Sequence, residues 1–292
     1  MKLEKIINLY GSVGKRKGYE YLFRWLYDIY SKISLPCIDF RYKEILANDK
    51  TKLAIFDVLV DDLADKIRNK KLLELFIQIP WDVTKRYQNK YLEVGKIIWK
   101  SCITSIRKYP RYREFKEIFY FDLQQVLNSM KYSFLVNTFD IGNPVENKIY
   151  SHHGCMVILH CDMDLMCSPE FDKAELWKLR PVFYHMQKIC HIGNMLNTYP
   201  REIIEKDFSS PIISLGIRKG LITKKDVIEN PENALKKLKK LEVYFKKEVR
   251  KHLREIRKYV RDIESVDLGE LPKKLEIVFN CFLERRRYWE ED

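Results

Sequence analysis

Apolar residues recur along this chain every three or four positions and hold a period of two over no useful length. From Tyr19 to Ile33 aromatic and aliphatic side chains fall at helical intervals, and Leu35-Pro36 ends the element because proline disfavours helical backbone in the residue before it. A second run carries Leu53, Ile55, Phe56, Leu59 and Leu63; its expected N-cap is Thr51, and it continues to about Asn69. Further helical runs cover Lys71 to Ile79, stopped by Pro80, then Val83 to Ile106 and Arg111 to Val136, before a break at Gly142-Asn143-Pro144. Near the end, Leu235, Leu238, Leu241, Phe245, Val249, Leu253, Ile256, Val260 and Ile263 form one apolar stripe, with Lys and Arg crowding the other faces of a long amphipathic helix. The pattern predicts an all-α chain. With no Ser/Gly/Pro-rich linker, it predicts a single domain over residues 1–292, an antiparallel helical bundle around a central cavity.

One segment does not fit a purely structural helix. Phe56 to Lys66 reads D-D-x-x-D at Asp61, Asp62 and Asp65, set among apolar neighbours. Residues four apart share a helix face, so Asp61 and Asp65 point the same way, Asp62 sits to one side, and Asp57 extends the acidic face one turn upstream. With such flanks some of these acids face an interior, where an unpaired carboxylate is too costly. A hard divalent cation resolves this: Mg²⁺ prefers oxygen ligands and is held by one or two carboxylates plus substrate phosphates. The structural alternative is a solvated acidic turn, or an ion pair with Lys66 or Arg68.

Far downstream, Asn194, Thr198 and Glu202 fall at i, i+4 and i+8, placing an amide oxygen, a hydroxyl and a carboxylate on one face. All are hard oxygen donors suited to Mg²⁺. Pro200 lies inside this motif and predicts a kink after Leu196, since proline removes a helical N–H and crowds the carbonyl four residues back.

In order and separation the two motifs resemble those of the class I terpene synthases. Two further matches carry the resemblance: Arg201 immediately before the motif's glutamate, and Arg287-Tyr288 near the C-terminus. It runs from about residue 50 to the end and rests on four short motifs, with Met195 standing where the family often has an acid. It implies the isoprenoid synthase fold, with the motifs on facing helices that together bind three Mg²⁺ ions around a substrate diphosphate. The activity it implies is ionisation, with cyclisation, of a linear prenyl diphosphate such as farnesyl or geranylgeranyl diphosphate, releasing diphosphate. Asp61, Asp62, Asp65, Asn194, Thr198 and Glu202 would then be catalytic. Asp61, Asp65, Asn194, Thr198 and Glu202 would be the metal ligands, with Asp62 an additional carboxylate. Arg201, Arg287 and Tyr288 would donate to phosphate oxygens. Lys148 matches the basic residue that senses diphosphate, and Gly154 the helix break that follows it. Phe56, Phe76 and Trp81 lie near the acidic motif as candidate aromatic neighbours of a carbocation.

Two rivals share parts of this pattern. Coupling isoprenoid synthases use the same fold and metal, but the chain-elongating type has a second D-D-x-x-D and the squalene/phytoene type a second D-x-x-x-D. Here the downstream region offers Asn, Thr and Glu instead. The other rival is a non-enzymatic basic helical binding protein.

Composition refines the picture. At 292 residues, 46% hydrophobic and 13% aromatic, the chain can bury a sizeable core. Its 54 basic against 41 acidic residues, net +13, would attract nucleic acid, an anionic membrane surface or an acidic small substrate. No nucleic-acid module appears, so no nucleic-acid partner is expected. The charged start Met1 to Ile7 and the lack of a run of about eighteen apolar residues lead to an expected cytoplasmic location without stable membrane insertion. A homodimer is compatible with everything above. Seven cysteines without C-x-x-C spacing read as reduced thiols. His152, His153 and His160 with Cys155, Cys161 and Cys167 lack zinc-site spacing, and Gly11 to Lys15 lacks the full phosphate-loop pattern.

Overall fold

The computed structural model describes residues 1–285, among which there are helices and turns and no β-strand. The chain forms two compact units, one of residues 1–134 with 159–171 and the other of residues 135–158 with 172 onward.

The first unit contains α1 (Leu3–Gly11), α2 (Tyr19–Ile33), α3 (Lys43–Asp61), α4 (Lys70–Phe76), α5 (Lys90–Ile106) and most of α6 (Tyr112–Phe139). Helix α3 is its axis, packing on α1, α2 and α5. Apolar residues surround α3 on every side, Leu46, Leu53, Ile55, Phe56, Leu59 and Val60 all being buried, as expected of a helix enclosed by others. Phe56, Phe76 and Trp99 are buried together with ring centroids 5.0 and 5.3 Å apart, whereas Trp81 is exposed. Several polar residues of α3 are buried too, and three of them are paired: Lys50 lies 2.6 Å from Asp164, Lys52 lies 2.8 Å from Asp49, and Tyr109 donates to Asp49 at 2.9 Å. Thr51, the expected N-cap, stands mid-helix and donates to the Ala47 carbonyl at 2.7 Å, because the helix starts a full two turns earlier, at Lys43.

The helix expected from Val83 begins only at Lys90. Asp82 Oδ1 accepts from Thr84 and Lys85, winding residues 82–85 into a turn, and Asn89 Oδ1 caps Tyr91 and Leu92.

The second unit contains α7 (Pro144–Tyr150), α9 (Leu176–Glu205), α10 (Pro211–Arg218), α11 (Lys224–Glu229), α12 (Pro231–Leu238), α13 (Glu242–Tyr259) and α14 (Leu271–Arg285), while α8 (Val157–Leu165) starts here and ends in the first unit. Helix α9 is the long element, and α13 and α14 lie along it. Phe245, Val249, Leu253 and Ile256 of α13 are buried, so the apolar stripe is core. The single long helix expected there is divided by a 3₁₀ turn at Lys239–Leu241; its tighter winding keeps Leu238, Leu241 and Phe245 all buried. Gly193, beside Asn194, packs directly against α14: a Cβ there would sit 2.8 Å from the Phe282 ring.

All seven cysteines are free thiols, buried or half-buried. No helix among the described residues is long and apolar enough to cross a membrane.

Candidate active site

In the first unit the acidic segment is not the continuous α-helix its spacing suggests. Helix α3 ends at Asp61, Asp62–Ile67 is a π-helical turn, and Arg68 closes it with a left-handed φ of 52° and an N–H bond to the Leu63 carbonyl five residues back. Such turns are frequent at functional sites. Asp62 is fully buried, and its Oδ2 accepts from the Tyr10 hydroxyl at 2.6 Å and the Lys15 backbone N–H at 2.8 Å. Burial raises the Asp62 pKa against the opposing pull of these donors, while burial and Asp62 together keep the Tyr10 phenol protonated far above neutrality. Asp61 forms an ion pair with Arg16, and Asp65 accepts from Ser133. Asp57 is buried, its Oδ1 without a hydrogen-bond partner among the described residues, and burial, then repulsion from Asp61, raises its pKa well above the usual carboxylate range.

The loop from Gly11 to Lys15, which fails as a phosphate loop, thus holds an acid of the motif. Gly14 lies flat on the Tyr10 ring, where a Cβ would come within 2.2 Å of it. Gly14→Ala should push the ring away and with it the hydroxyl that satisfies Asp62. A loss of about 1–3 kcal/mol is expected from such overpacking, read from urea unfolding. A wild-type unfolding midpoint would show that the ring does not set this loop.

In the second unit α9 runs helically through Pro200 to Glu205, so the proline does not turn the motif apart. The Thr198 hydroxyl lies 2.9 Å from the Asn194 carbonyl and 2.5 Å from Glu202 Oε1, which puts all three residues on one face. Glu202 Oε2 is buried with no hydrogen-bond partner among the described residues, Ser210 lying near enough to pull its pKa down. Burial, reinforced by Asp207, pushes the Glu202 carboxyl up to about 7. Asp207 is itself buried in the loop after α9 and accepts from Asn137 at 2.9 Å and from the Ser209 hydroxyl at 2.6 Å. Arg201 pairs with Glu205 at 2.5 Å. Arg287 and Tyr288 lie outside the described residues. Lys148 stands on α7, which gives way to a 3₁₀ turn at Ser151–Cys155 containing Gly154 and then to Met156 at φ 58°, a break where the sequence suggests one.

Among the described residues no three His, Cys, Asp or Glu side chains are gathered closely enough to form a metal site by themselves. Mg²⁺ does not need such a cage, since it keeps waters and completes its shell with substrate phosphates. The donors are of the right kind: among the described residues, an orphan carboxylate oxygen on Glu202 beside the Thr198 hydroxyl, and a second orphan on Asp57 near Asp61. The residues therefore fit Mg²⁺.

Sequence spacing does not point to Tyr10, Arg16, Ser133 or Asp207. The first three lie 45 or more positions from their aspartate partners, and Asp207 follows Glu202 by five residues, outside the four-residue pattern.

No protein-family model and no curated protein sequence matches the chain. Among solved structures it is similar to a linalool/nerolidol synthase from Streptomyces clavuligerus in complex with 2-fluorogeranyl diphosphate, with a TM-score of 0.60 over 97% of this chain and 96% of that one. The fold is that of a terpene synthase. At 11% identity the terpene synthase likeness is one of backbone. The side chains that would give this terpene synthase fold its chemistry must be argued from their own surroundings.

Proposed function

We propose that the protein is a Mg²⁺-dependent class I terpene synthase, ionising a linear prenyl diphosphate such as farnesyl or geranylgeranyl diphosphate, cyclising the product and releasing diphosphate. The observation that carries this reading is the α9 face, where the Thr198 hydroxyl meets the Glu202 carboxylate and a buried Glu202 oxygen has no hydrogen-bond partner among the described residues, within a terpene synthase fold. A neighbour of the same fold that holds a fluorinated geranyl diphosphate supports the substrate class.

Asp61 and Asp65, and Asn194, Thr198 and Glu202, would hold the metal, three ions by the resemblance. Bound Mg²⁺ supplies Lewis-acid stabilisation of the charge that gathers on the departing diphosphate. The chain's own groups do the positioning. Thr198 fixes the Glu202 carboxylate through its hydroxyl, and Asp62 ties the acidic turn to the loop before α2. Arg201 would exchange Glu205 for phosphate oxygens, for which its planar fork of donors is suited. Arg287 and Tyr288 would add a second guanidinium and a phenol. Lys148 would contribute a point charge to substrate binding.

The test is direct. Purified protein is incubated with Mg²⁺ and geranyl, farnesyl or geranylgeranyl diphosphate, each alone and with isopentenyl diphosphate, and the products are identified. Hydrocarbon or alcohol products with released diphosphate, abolished by EDTA and restored by Mg²⁺, are expected. Release that persists in excess EDTA would overturn the reading. Longer prenyl diphosphates formed only with isopentenyl diphosphate would replace it with chain elongation.

A further inference from the structure

The second unit holds an open cavity of about 280 Å³ between α7, α9, α10 and α13. It lies on the Lys188, His191, Ile192 and Met195 side of α9, and Asn194, Thr198 and Glu202 are not among the residues lining it. It is therefore distinct from the face assigned above to Mg²⁺.

Its charge is unbalanced. Among the described residues Lys148, Lys188 and Arg218 line it, against Glu248 as the one acid. Lys188 is half-buried, and among the described residues no carboxylate lies within ion-pair distance of it; its ammonium donates instead to the Lys148 carbonyl at 2.5 Å and to His152 Nδ1 at 3.1 Å. Burial, with Lys148 adding like charge, draws its pKa down to about 8. The histidines nearby do not supply the missing negative charge, and burial holds His152, His191 and His252 neutral. A partly buried cation without a counter-charge is costly, and an anion brought into the cavity would remove that cost. Most of the rest of the wall is apolar or aromatic, including Ile192, Met195, Leu215 and Phe245. Just below the usual size range of ligand cavities, roughly 300–1,000 Å³, it suits a short molecule.

We infer that this cavity is a second anion site, which takes the phosphate of a small phosphorylated molecule on Lys188 and Arg218 and lays its short apolar part against Ile192, Met195 and Phe245, without a divalent metal. Arginine's fork and lysine's point charge are the usual phosphate partners, and here they stand on two different helices facing one space. The site's phosphate partners, Lys188 and Arg218, are not among the residues proposed to bind metal or prenyl diphosphate, although Lys148, assigned above to substrate binding, also lines this cavity.

The probes are inorganic phosphate and geranyl monophosphate, titrated calorimetrically into the full chain in EDTA. One saturable site is expected for geranyl monophosphate, about tenfold or more tighter than for phosphate, a factor equivalent to about 1.4 kcal/mol. Lys188→Gln and Arg218→Gln should each weaken it about tenfold, as for a lost charge-assisted hydrogen bond, while Lys188→Arg and Glu202→Gln stay near the wild-type affinity. Arg218 is exposed, so its variant is expected to fold even if Lys188→Gln does not. Equal affinities for the two probes would overturn the apolar half of the inference. Absence of saturable metal-free binding, wild-type affinity in Arg218→Gln, or an equal loss in Glu202→Gln would overturn it entirely.

Discussion

Glutamine in place of Glu202 is expected to slow diphosphate release about a hundredfold at limiting Mg²⁺, the factor that corresponds to roughly 3 kcal/mol of lost transition-state stabilisation. The pH dependence of stability separates this effect from damage to the fold. The Glu202 carboxyl sits near 7 in the folded chain, above its ordinary 4.5, so the folded state holds a proton that the unfolded state has already released. Its contribution to stability is then fully present below about 4.5 and is lost as pH rises through about 7. Glu202→Gln removes that loss and should be at least as stable as wild type at pH 8, while being far slower. Mg²⁺ competes with the same proton, so wild-type affinity for the ion should climb from pH 5 to about 7 and then level off, and the variant should show no such climb. Wild-type turnover with wild-type Mg²⁺ dependence in Glu202→Gln would remove the α9 motif from the proposed chemistry.

Lys50→Met should cost about 3–5 kcal/mol in urea or thermal unfolding, because it leaves the Asp164 carboxylate buried without its cation. The two groups are 2% and 1% exposed, and burial already raises the Asp164 pKa against the pull of Lys50. Replacing both, as Lys50→Met with Asp164→Leu, should recover most of the loss, since an apolar pair carries no desolvation penalty. The Leu35 N–H that also donates to Asp164 at 3.0 Å would then be the group left unsatisfied, which limits how complete the recovery is. A single variant as stable as wild type would mean that water reaches Asp164.

Where local rules decide an element, the sequence was legible. Helix α2 spans Tyr19–Ile33, as its period and Pro36 indicate, the chain breaks after Tyr150, and Asn194, Thr198 and Glu202 share a face because four-residue spacing survives Pro200. What was not legible came from distant partners or from small changes in winding. Over six residues an α turn and a π turn bring the same acids to much the same side, so spacing alone did not distinguish the Asp62–Ile67 turn from a helix running to Asn69. Thr51 looks like a cap from its neighbours only; the helix around it starts earlier because Leu46 and Ala47 are already buried. Helicity expected from Val83 gave way to the side chains of Asp82 and Asn89, which compete for backbone donors at close range. Arg16 could not have been linked to Asp61 by any local signal, as they are 45 positions apart.

Three groups within seven residues, the Tyr10 hydroxyl, the Lys15 N–H and the Arg16 guanidinium, fasten to two adjacent acids at the end of α3. Tolerance to changes in chain length must therefore be uneven over the first twenty residues. Met1 is exposed and carries none of these bonds, so a tag fused ahead of it adds slack where none is needed. One residue inserted between Gly11 and Lys15 would instead put the fastening out of step with Asp61 and Asp62, acting on the acidic turn from 45 positions away in the chain.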